Sequence, residues 1–146
     1  MNWRYLLDSF DGRISRRAFW IAMGLVGAGN VLACLAADYI QGDKLNAIVD
    51  LAFNYPEFAI AVKRGHDRNL PIWLIGIFFA ASVLLDLFTV TGWAGADDQP
   101  STLALVFAIP FTVLGLALLF ELGFRKGTEG PNQYGPDPLA GVNGKG

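Results

Sequence analysis

The chain has 146 residues, of which 53% are hydrophobic and 16% are charged, with a formal net charge of −2. So few charges cannot cover the surface of a soluble domain of this length, and the excess apolar residues are therefore expected to face lipid. The single cysteine, Cys34, excludes an internal disulfide and a zinc site built from cysteines.

The first segment, residues 1–17, is predicted to be a cytoplasmic amphipathic segment. An apolar stripe with helical spacing runs through Trp3, Leu6, Leu7 and Phe10. Arg4 lies off this stripe. The pattern predicts a short helix in the cytoplasmic interface of the membrane, with a loosely structured terminus as the alternative.

Residues 18–124 are predicted to form the membrane domain. A membrane-crossing helix needs about 20 mostly apolar residues, and the segments 18–37, 71–93 and 102–124 meet this requirement. The segment 45–62 is more polar, but without it the basic residues that follow would lie on the wrong side of the membrane. The expected fold is all-α, a bundle of four transmembrane helices.

Polar residues of the second span share one helix face, because Asn46, Asp50, Asn54 and Glu57 are four, four and three residues apart. The opposite face is expected to meet lipid or neighbouring helices and carries Ile48, Leu51, Ala52, Tyr55, Ala59 and Val62. Asp86 lies near the middle of the third span. We interpret Asp50, Asn54, Glu57 and Asp86 as a candidate intramembrane path for protons or cations, with interhelical hydrogen bonding as the alternative.

Ten of the eleven Lys and Arg residues fall in three clusters. The clusters are Arg4, Arg13, Arg16 and Arg17; Lys63, Arg64 and Arg68; and Arg125, Lys126 and Lys145. Because short cytoplasmic loops retain Lys and Arg, the pattern predicts a cytoplasmic N-terminus, 63–70 loop and C-terminus. The outer loops 38–44 and 94–101 carry Asp38, Asp43, Asp97 and Asp98 against one Lys44.

The last segment, residues 125–146, is predicted to be a cytoplasmic tail. Its many glycines and prolines make regular structure improbable and favour a chain of turns.

Three segments together resemble a known family. They are residues 10–20 (FDGRISRRAFW), 62–68 (VKRGHDR) and 127–138 (GTEGPNQYGPDP). Their order and spacing are similar to those of the bacterial inner-membrane family called domain of unknown function 805, which includes small proteins of the YhaH type. The resemblance implies a small multi-span protein of the bacterial inner membrane and implies no particular reaction.

The three segments lie on the predicted cytoplasmic side, and we expect them to meet in a cap. Its expected members are Arg13, Arg16, Arg17, Arg64, His66, Asp67, Asn132 and Tyr134. His66 is the only histidine and has no sequence-linked nucleophile, so it is expected to bond to a backbone carbonyl or to the tail. No catalytic residue, metal site or cofactor is predicted.

These features lead to a hypothesis of a non-enzymatic scaffold or accessory protein that acts through the cap. Its partners would be the lipid bilayer, anionic headgroups, or a membrane or cytoplasmic protein. The first alternative is a small homo-oligomeric transporter that uses the intramembrane acids, and another is a membrane enzyme that uses His66 and Asp67. Nucleic acid is not expected as a partner, because no stacking platform accompanies the basic residues.

Overall fold

The computed structural model describes residues 3–40, 43–93, 95–96, 99–100 and 102–140, and this part of the chain is almost entirely helical. Its helices are α1 (Trp3–Asp8), α2 (Arg16–Ile40), α3 (Asp43–Asp67), α4 (Ile72–Thr91) and α5 (Thr102–Gly123). Between α4 and α5, β1 (Gly95–Ala96) pairs antiparallel with β2 (Gln99–Pro100), with Gly95 opposite Pro100. Apart from this pair of two-residue strands, the predicted all-α architecture is confirmed.

Within the part of the chain that the structure describes, three helices are long and apolar enough to cross a membrane: Arg16–Ile40, Ile72–Thr91 and Leu105–Gly123. They coincide with three of the four predicted spans. α2 has 25 residues, and at 1.5 Å per residue it extends about 37 Å. This length exceeds the roughly 30 Å hydrocarbon core of a bilayer.

The helix α3 lies at the centre of the bundle and packs against α1, α2, α4 and α5. Its 25 residues match α2 in length, but its polar residues make it less apolar than its neighbours. A polar face is stable at a central position because side chains on adjacent helices can satisfy its hydrogen bonds. The arrangement gives a physical reason for the composition of the segment predicted as the second span.

The end of α3 differs from the sequence-based prediction. The helix continues to Asp67, so the expectation of a loop over 63–70 is wrong for residues 63–67. A C-cap ends the helix: Asn69 takes a positive φ of 55°, and the Leu70 amide donates to the Gly65 carbonyl at 2.9 Å. The basic side chains of this segment are consequently fixed on a rigid helix end.

The short helix α1 packs on α3 through the predicted apolar stripe. Leu6 is buried in the main core, and Leu7 and Phe10 pack against it. The side chain of Trp3, the first member of the stripe, lies outside the described residues. Helix α1 therefore has a protein-facing side.

The buried core lies at one end of the bundle, where all five helices contribute or pack nearby. It includes Leu6, Ile14, Phe19, Ala22, Ile60, Val62, Ile75 and Leu122. Apolar side chains elsewhere remain exposed, among them Leu32, Ile109 and Leu116. The bundle is thus closed by packing at one end and presents an apolar surface along its length, as a lipid-facing protein does.

The predicted outward face of α3 divides into two halves. Ile48, Ala52 and Tyr55 are exposed, whereas Ala59 and Val62 are buried near the end that α1 covers. Asp97, Asp98 and Lys145 lie outside the described residues, as does the side chain of Asp43.

Candidate functional site

The centre of the site is Asp67, in the last turn of α3. Its Oδ1 accepts hydrogen bonds from Arg13 Nε (3.1 Å) and Nη2 (3.0 Å), and its Oδ2 accepts from Arg64 Nη1. Both arginine side chains are 0% exposed and the Asp67 side chain is 4% exposed. Two buried guanidiniums around one carboxylate leave an excess positive charge, so their remaining donors need acceptors nearby.

Arg13 finds those acceptors in the C-terminal tail. Its Nη2 donates to the Thr128 carbonyl at 2.6 Å, and its Nη1 donates to the carbonyls of Gly130 (2.7 Å) and Gly135 (3.3 Å). Positive φ values at Gly130 (75°) and Gly135 (134°) accompany these turns, a region that glycine adopts readily. The irregular tail is therefore wrapped around one arginine that precedes α2.

Arg64 binds the end of α5. The last carbonyls of a helix lack partners within it and carry partial negative charge, so a cation there is stabilising. Arg64 Nε donates to the Leu122 carbonyl (2.7 Å) and Nη2 donates to the Arg125 carbonyl (2.6 Å). The intervening carbonyls are capped from α2, by Trp20 Nε1 on Gly123 (3.0 Å) and Arg16 Nη1 on Phe124 (3.1 Å).

The tail also docks directly on Asp67 and its neighbours. The Asp67 carbonyl accepts from the Thr128 amide (2.8 Å) and hydroxyl (3.1 Å). A Cβ on Gly127 would clash with Asp67 Oδ2, so only glycine fits against this buried carboxylate. Asn132 Nδ2 donates to the His66 carbonyl at 2.9 Å.

His66 joins the first and third motif segments. Its Nδ1 lies 3.0 Å from the Gly12 carbonyl, so Nδ1 carries the proton, and its ring stacks on Tyr134 at 3.8 Å and 5°. The ring contacts a backbone carbonyl and the tail, as predicted. No hydrogen bond joins the His66 ring to Asp67, whose carboxylate oxygens both accept from arginines. The geometry does not place them as an acid–base pair.

The cap is expected to lose stability at acidic pH through His66. Burial lowers the pKa of His66 below its ordinary 6.5, and the Gly12 bond offsets this only in part. Its Nε2 is buried without a partner in the described part of the chain. Because the unfolded state binds the proton more readily, stability should fall as the pH drops below about 6.5, by at most about 1.4 kcal/mol per pH unit.

Thermal unfolding between pH 7.5 and pH 5 measures this dependence, with His66→Gln as the matched variant. The variant should lose this part of the acid sensitivity. Equal slopes in the two proteins would exclude His66 as the cause.

Two cap residues were predicted only as determinants of topology. Lys63 Nζ donates to the carbonyls of Tyr5 (2.8 Å), Leu6 (2.7 Å) and Ser9, and so caps α1. Arg68 pairs with Glu121 at 2.7 Å. Both residues belong to the second motif segment, and this was the sequence signal that could have identified them as cap residues. Their partners could not be inferred, because they lie more than 50 residues away in the sequence.

Arg17 is the exception among the predicted cap residues. Its side chain is exposed and forms no hydrogen bond or ion pair with any residue that the structure describes. Of the other seven, Arg16 and Arg64 bind carbonyls at the end of α5 and just beyond it, and the remaining five take part in the contacts between motif segments given above. Arg13 and Arg17, four residues apart, therefore differ completely in their surroundings.

The four predicted intramembrane residues surround one cavity of about 200 Å³ between the helices. Asn30 Nδ2 donates to Asp50 Oδ1 at 2.8 Å, which links α2 to α3. Asn54 Nδ2 donates to Asp86 Oδ2 at 2.9 Å, which links α3 to α4. The hydrogen bonds expected between helices are therefore present, together with a shared polar space.

Glu57 lies where this polar cavity meets a second, largely apolar cavity of about 350 Å³. None of the described residues that line the polar cavity is basic. Throughout residues 3–40, 43–93 and the described segments beyond, no group of three or more His, Cys, Asp or Glu side chains is arranged to hold a metal ion.

Comparison with known proteins gives a family without an assigned activity. The family model described as "Protein of unknown function (DUF805)" matches residues 7–136. The uncharacterized protein YiiR of Escherichia coli K12 is 35% identical over 137 residues, which cover 90% of this chain and 86% of YiiR. The inner membrane protein YhaI of the same organism is 27% identical over 138 residues, which cover 92% of this chain and 89% of YhaI. No solved structure matches.

Proposed function

Because the chain belongs to the DUF805 family of membrane proteins of unknown function, we propose that it is an inner-membrane accessory protein that holds a protein partner at its cytoplasmic face. In this proposal α3 is the fourth membrane span, α1 lies at the cytoplasmic interface, and both termini are cytoplasmic. The central position of α3 between α2 and α4 supports the fourth span. An enzyme role has no support from the geometry of His66 and Asp67.

The orientation rests on the charge at the cap end of the bundle. Among the described residues, nine basic and six acidic side chains lie on α1, the α1–α2 connection, the start of α2 and the segments 63–68 and 121–140. Lys and Arg in short loops favour the cytoplasmic side. The cap would therefore face the cytoplasm.

The observation that carries the proposal is the fixed shape of an irregular tail. Burying two guanidiniums with one carboxylate is energetically demanding and adds little stability over apolar packing. Here it holds the tail in one conformation, while tail residues such as Gln133 and Leu139 remain exposed. A surface already fixed in shape binds a partner without the loss of entropy that ordering it would require.

Site-specific photo-crosslinking in native membranes tests the proposal. A photoreactive amino acid at Gln133 or Leu139 should give a discrete crosslinked product with another protein, and the same group at Lys44, at the far end of α3, should not. The product should disappear in an Arg13→Gln background at equal membrane levels of the protein. A protein-docking role would be contradicted if the tail positions crosslinked only to lipid, or if they gave the same products as the control position Lys44.

A second candidate function is the transport of protons or cations, because three carboxylates line one intramembrane cavity. Asp50, Glu57 and Asp86 surround this space together with the polar side chains of Asn30, Asn54 and Ser82. Acids within membrane spans are commonly functional. Four short helices leave little room for a complete path, so this candidate requires a homo-oligomer.

Proteoliposome flux separates the two candidates. A transporter should move protons or monovalent cations down a gradient, and Asp86→Asn should reduce this flux to the leak of empty liposomes. Glu129→Gln, which removes an exposed carboxyl group of the tail, is the matched control and should leave the flux unchanged. Absence of flux in the wild-type protein, or the same flux in Asp86→Asn, would remove this candidate.

A further inference from the structure

A crevice of about 330 Å³ lies beside the cap, between the start of α2 and the tail. Arg16 and Lys126 line it, and both are exposed. Arg16 uses Nη1 to bind the Phe124 carbonyl, and the Lys126 ammonium group has no hydrogen-bond or ion-pair partner among the described residues. The Ser15 side chain, which accepts from the Ala18 amide at 3.3 Å, also reaches the crevice.

Three basic and three acidic side chains line the crevice, and Arg13, which binds Asp67 without lining the crevice, brings the net charge of the group to one positive. The floor of the crevice contains Arg64 and Asp67, and Arg13 binds the same carboxylate from behind, so these three side chains carry one net positive charge. Asp137 also lines the crevice, but its carboxylate accepts the amides of its own turn, from Gly130 (3.1 Å) and Leu139 (2.8 Å). Glu129 is the remaining acidic group and is exposed.

An exposed aromatic surface adjoins the basic one. Trp20 lies one helical turn after Arg16 and is therefore on the same face of α2. Its ring packs against Phe124 at 5.5 Å, and Phe124 packs against Phe120 at 5.8 Å. All three rings are exposed. Aromatic side chains at a span end are typical of the level at which lipid headgroups lie.

We propose that this crevice binds the phosphate headgroup of an anionic phospholipid, with Arg16 and Lys126 on the phosphate and the acyl chains over Trp20, Phe120 and Phe124. A basic pocket beside the ends of membrane helices has the chemistry for such headgroups. The adjoining apolar rings favour a lipid over a soluble phosphate ester, since only a lipid contacts both surfaces. Of the two protein-docking positions, Leu139 lies at the crevice and Gln133 does not line it, so Gln133 reports on protein docking independently of lipid binding.

Quenching of Trp20 fluorescence reports on this site directly. The full chain with Trp3, Trp73 and Trp93 replaced by Phe leaves Trp20 as the only tryptophan. It is reconstituted in phosphatidylcholine vesicles that contain equal fractions of phosphatidylglycerol, with the acyl chains of one lipid or the other brominated. Brominated phosphatidylglycerol should quench Trp20 more strongly, with a relative binding constant several-fold above that of phosphatidylcholine.

Variants identify the groups responsible. Lys126→Gln, which removes a side chain without partners in the described chain, should lower the preference about fivefold, as expected from about 1 kcal/mol per basic side chain near an anionic surface. Arg16→Gln should lower the preference by a similar factor, whereas Arg16→Lys, which keeps the positive charge, should retain most of the preference. Lys44→Gln removes an exposed basic group at the opposite end and should have no effect.

Three results would overturn the inference. They are equal quenching by the two brominated lipids, a preference that survives Lys126→Gln in a protein with the wild-type helix content, and loss of the preference on addition of millimolar inorganic phosphate but not sodium chloride of the same ionic strength. The last result would assign the crevice to a soluble phosphate. Failure of this experiment leaves the protein crosslink at Gln133, which does not line the crevice, unaffected.

Discussion

Asp67→Asn should lower the free energy of unfolding by about 3–5 kcal/mol, because it leaves two buried guanidiniums without their carboxylate. Both arginine side chains are 0% exposed, so water cannot replace the lost partner without opening the cap. We expect the tail to detach first, since Arg13 holds it and would seek solvent. Unfolding of the purified protein in detergent measures the loss, and limited proteolysis measures tail release.

The matched control for Asp67→Asn is Glu129→Gln, which also neutralises one carboxylate of the cap region. Glu129 is exposed, and its removal should change stability by less than about 0.5 kcal/mol. If Asp67→Asn unfolds as the wild-type protein does and its tail resists protease equally, the buried charge cluster does not hold the cap together.

Arg13→Gln should release the tail, whereas Arg17→Gln should not, although both variants remove one positive charge from the same motif. Arg13 donates to Asp67 and to the carbonyls of Thr128, Gly130 and Gly135. Loss of these charge-assisted bonds should reduce stability by about 3 kcal/mol. Differential scanning fluorimetry and the rate of proteolysis within 127–138 measure the two effects.

Comparison of these two variants also distinguishes a structural role of the arginines from a role in membrane orientation. A purely orientational role would make Arg13 and Arg17 equivalent, because the rule for cytoplasmic loops counts charges and ignores their contacts. Equal behaviour of the two variants would therefore contradict the contacts assigned to Arg13.

The helices were predictable because apolar length is a local property. Three spans follow from runs of about 20 apolar residues. The period of Asp50, Asn54 and Glu57 also predicted a shared polar face, since helical spacing fixes it. The partners Asn30 and Ser82 were not predictable as such, because a single polar residue in an apolar helix carries no sign of the residue it contacts.

The cap was predictable as a meeting of segments but not as a set of bonds. Charge position placed Arg13, Arg64 and Asp67 on one side, and the tail motif followed from the same topology. Arg13 is buried against the tail and Arg17 is exposed, and this difference depends on which side of the chain at the start of α2 faces the tail. Only tertiary packing determines that orientation. Lys63 shows the same limit, because its acceptors are backbone carbonyls, which every residue possesses.

Cysteine crosslinking between Asn69 and Gln133 measures whether the tail is fixed on the end of α3. Both residues are exposed, and Gln133 Nε2 donates to Asn69 Oδ1 at 3.1 Å. The background is Cys34→Ala, which removes the native thiol, and the reagent is a short bifunctional thiosulfonate applied to native membranes. The control pair is Lys44→Cys with Gln133→Cys, because the far end of α3 is about 35 Å away at 1.5 Å per residue.

Asn69→Cys with Gln133→Cys should crosslink rapidly within one molecule, the reaction should be much slower when Asp67→Asn is added, and the control pair should not react. If the Asn69–Gln133 pair reacts no faster than the control pair, the tail is not held on α3 and the cap does not exist as described.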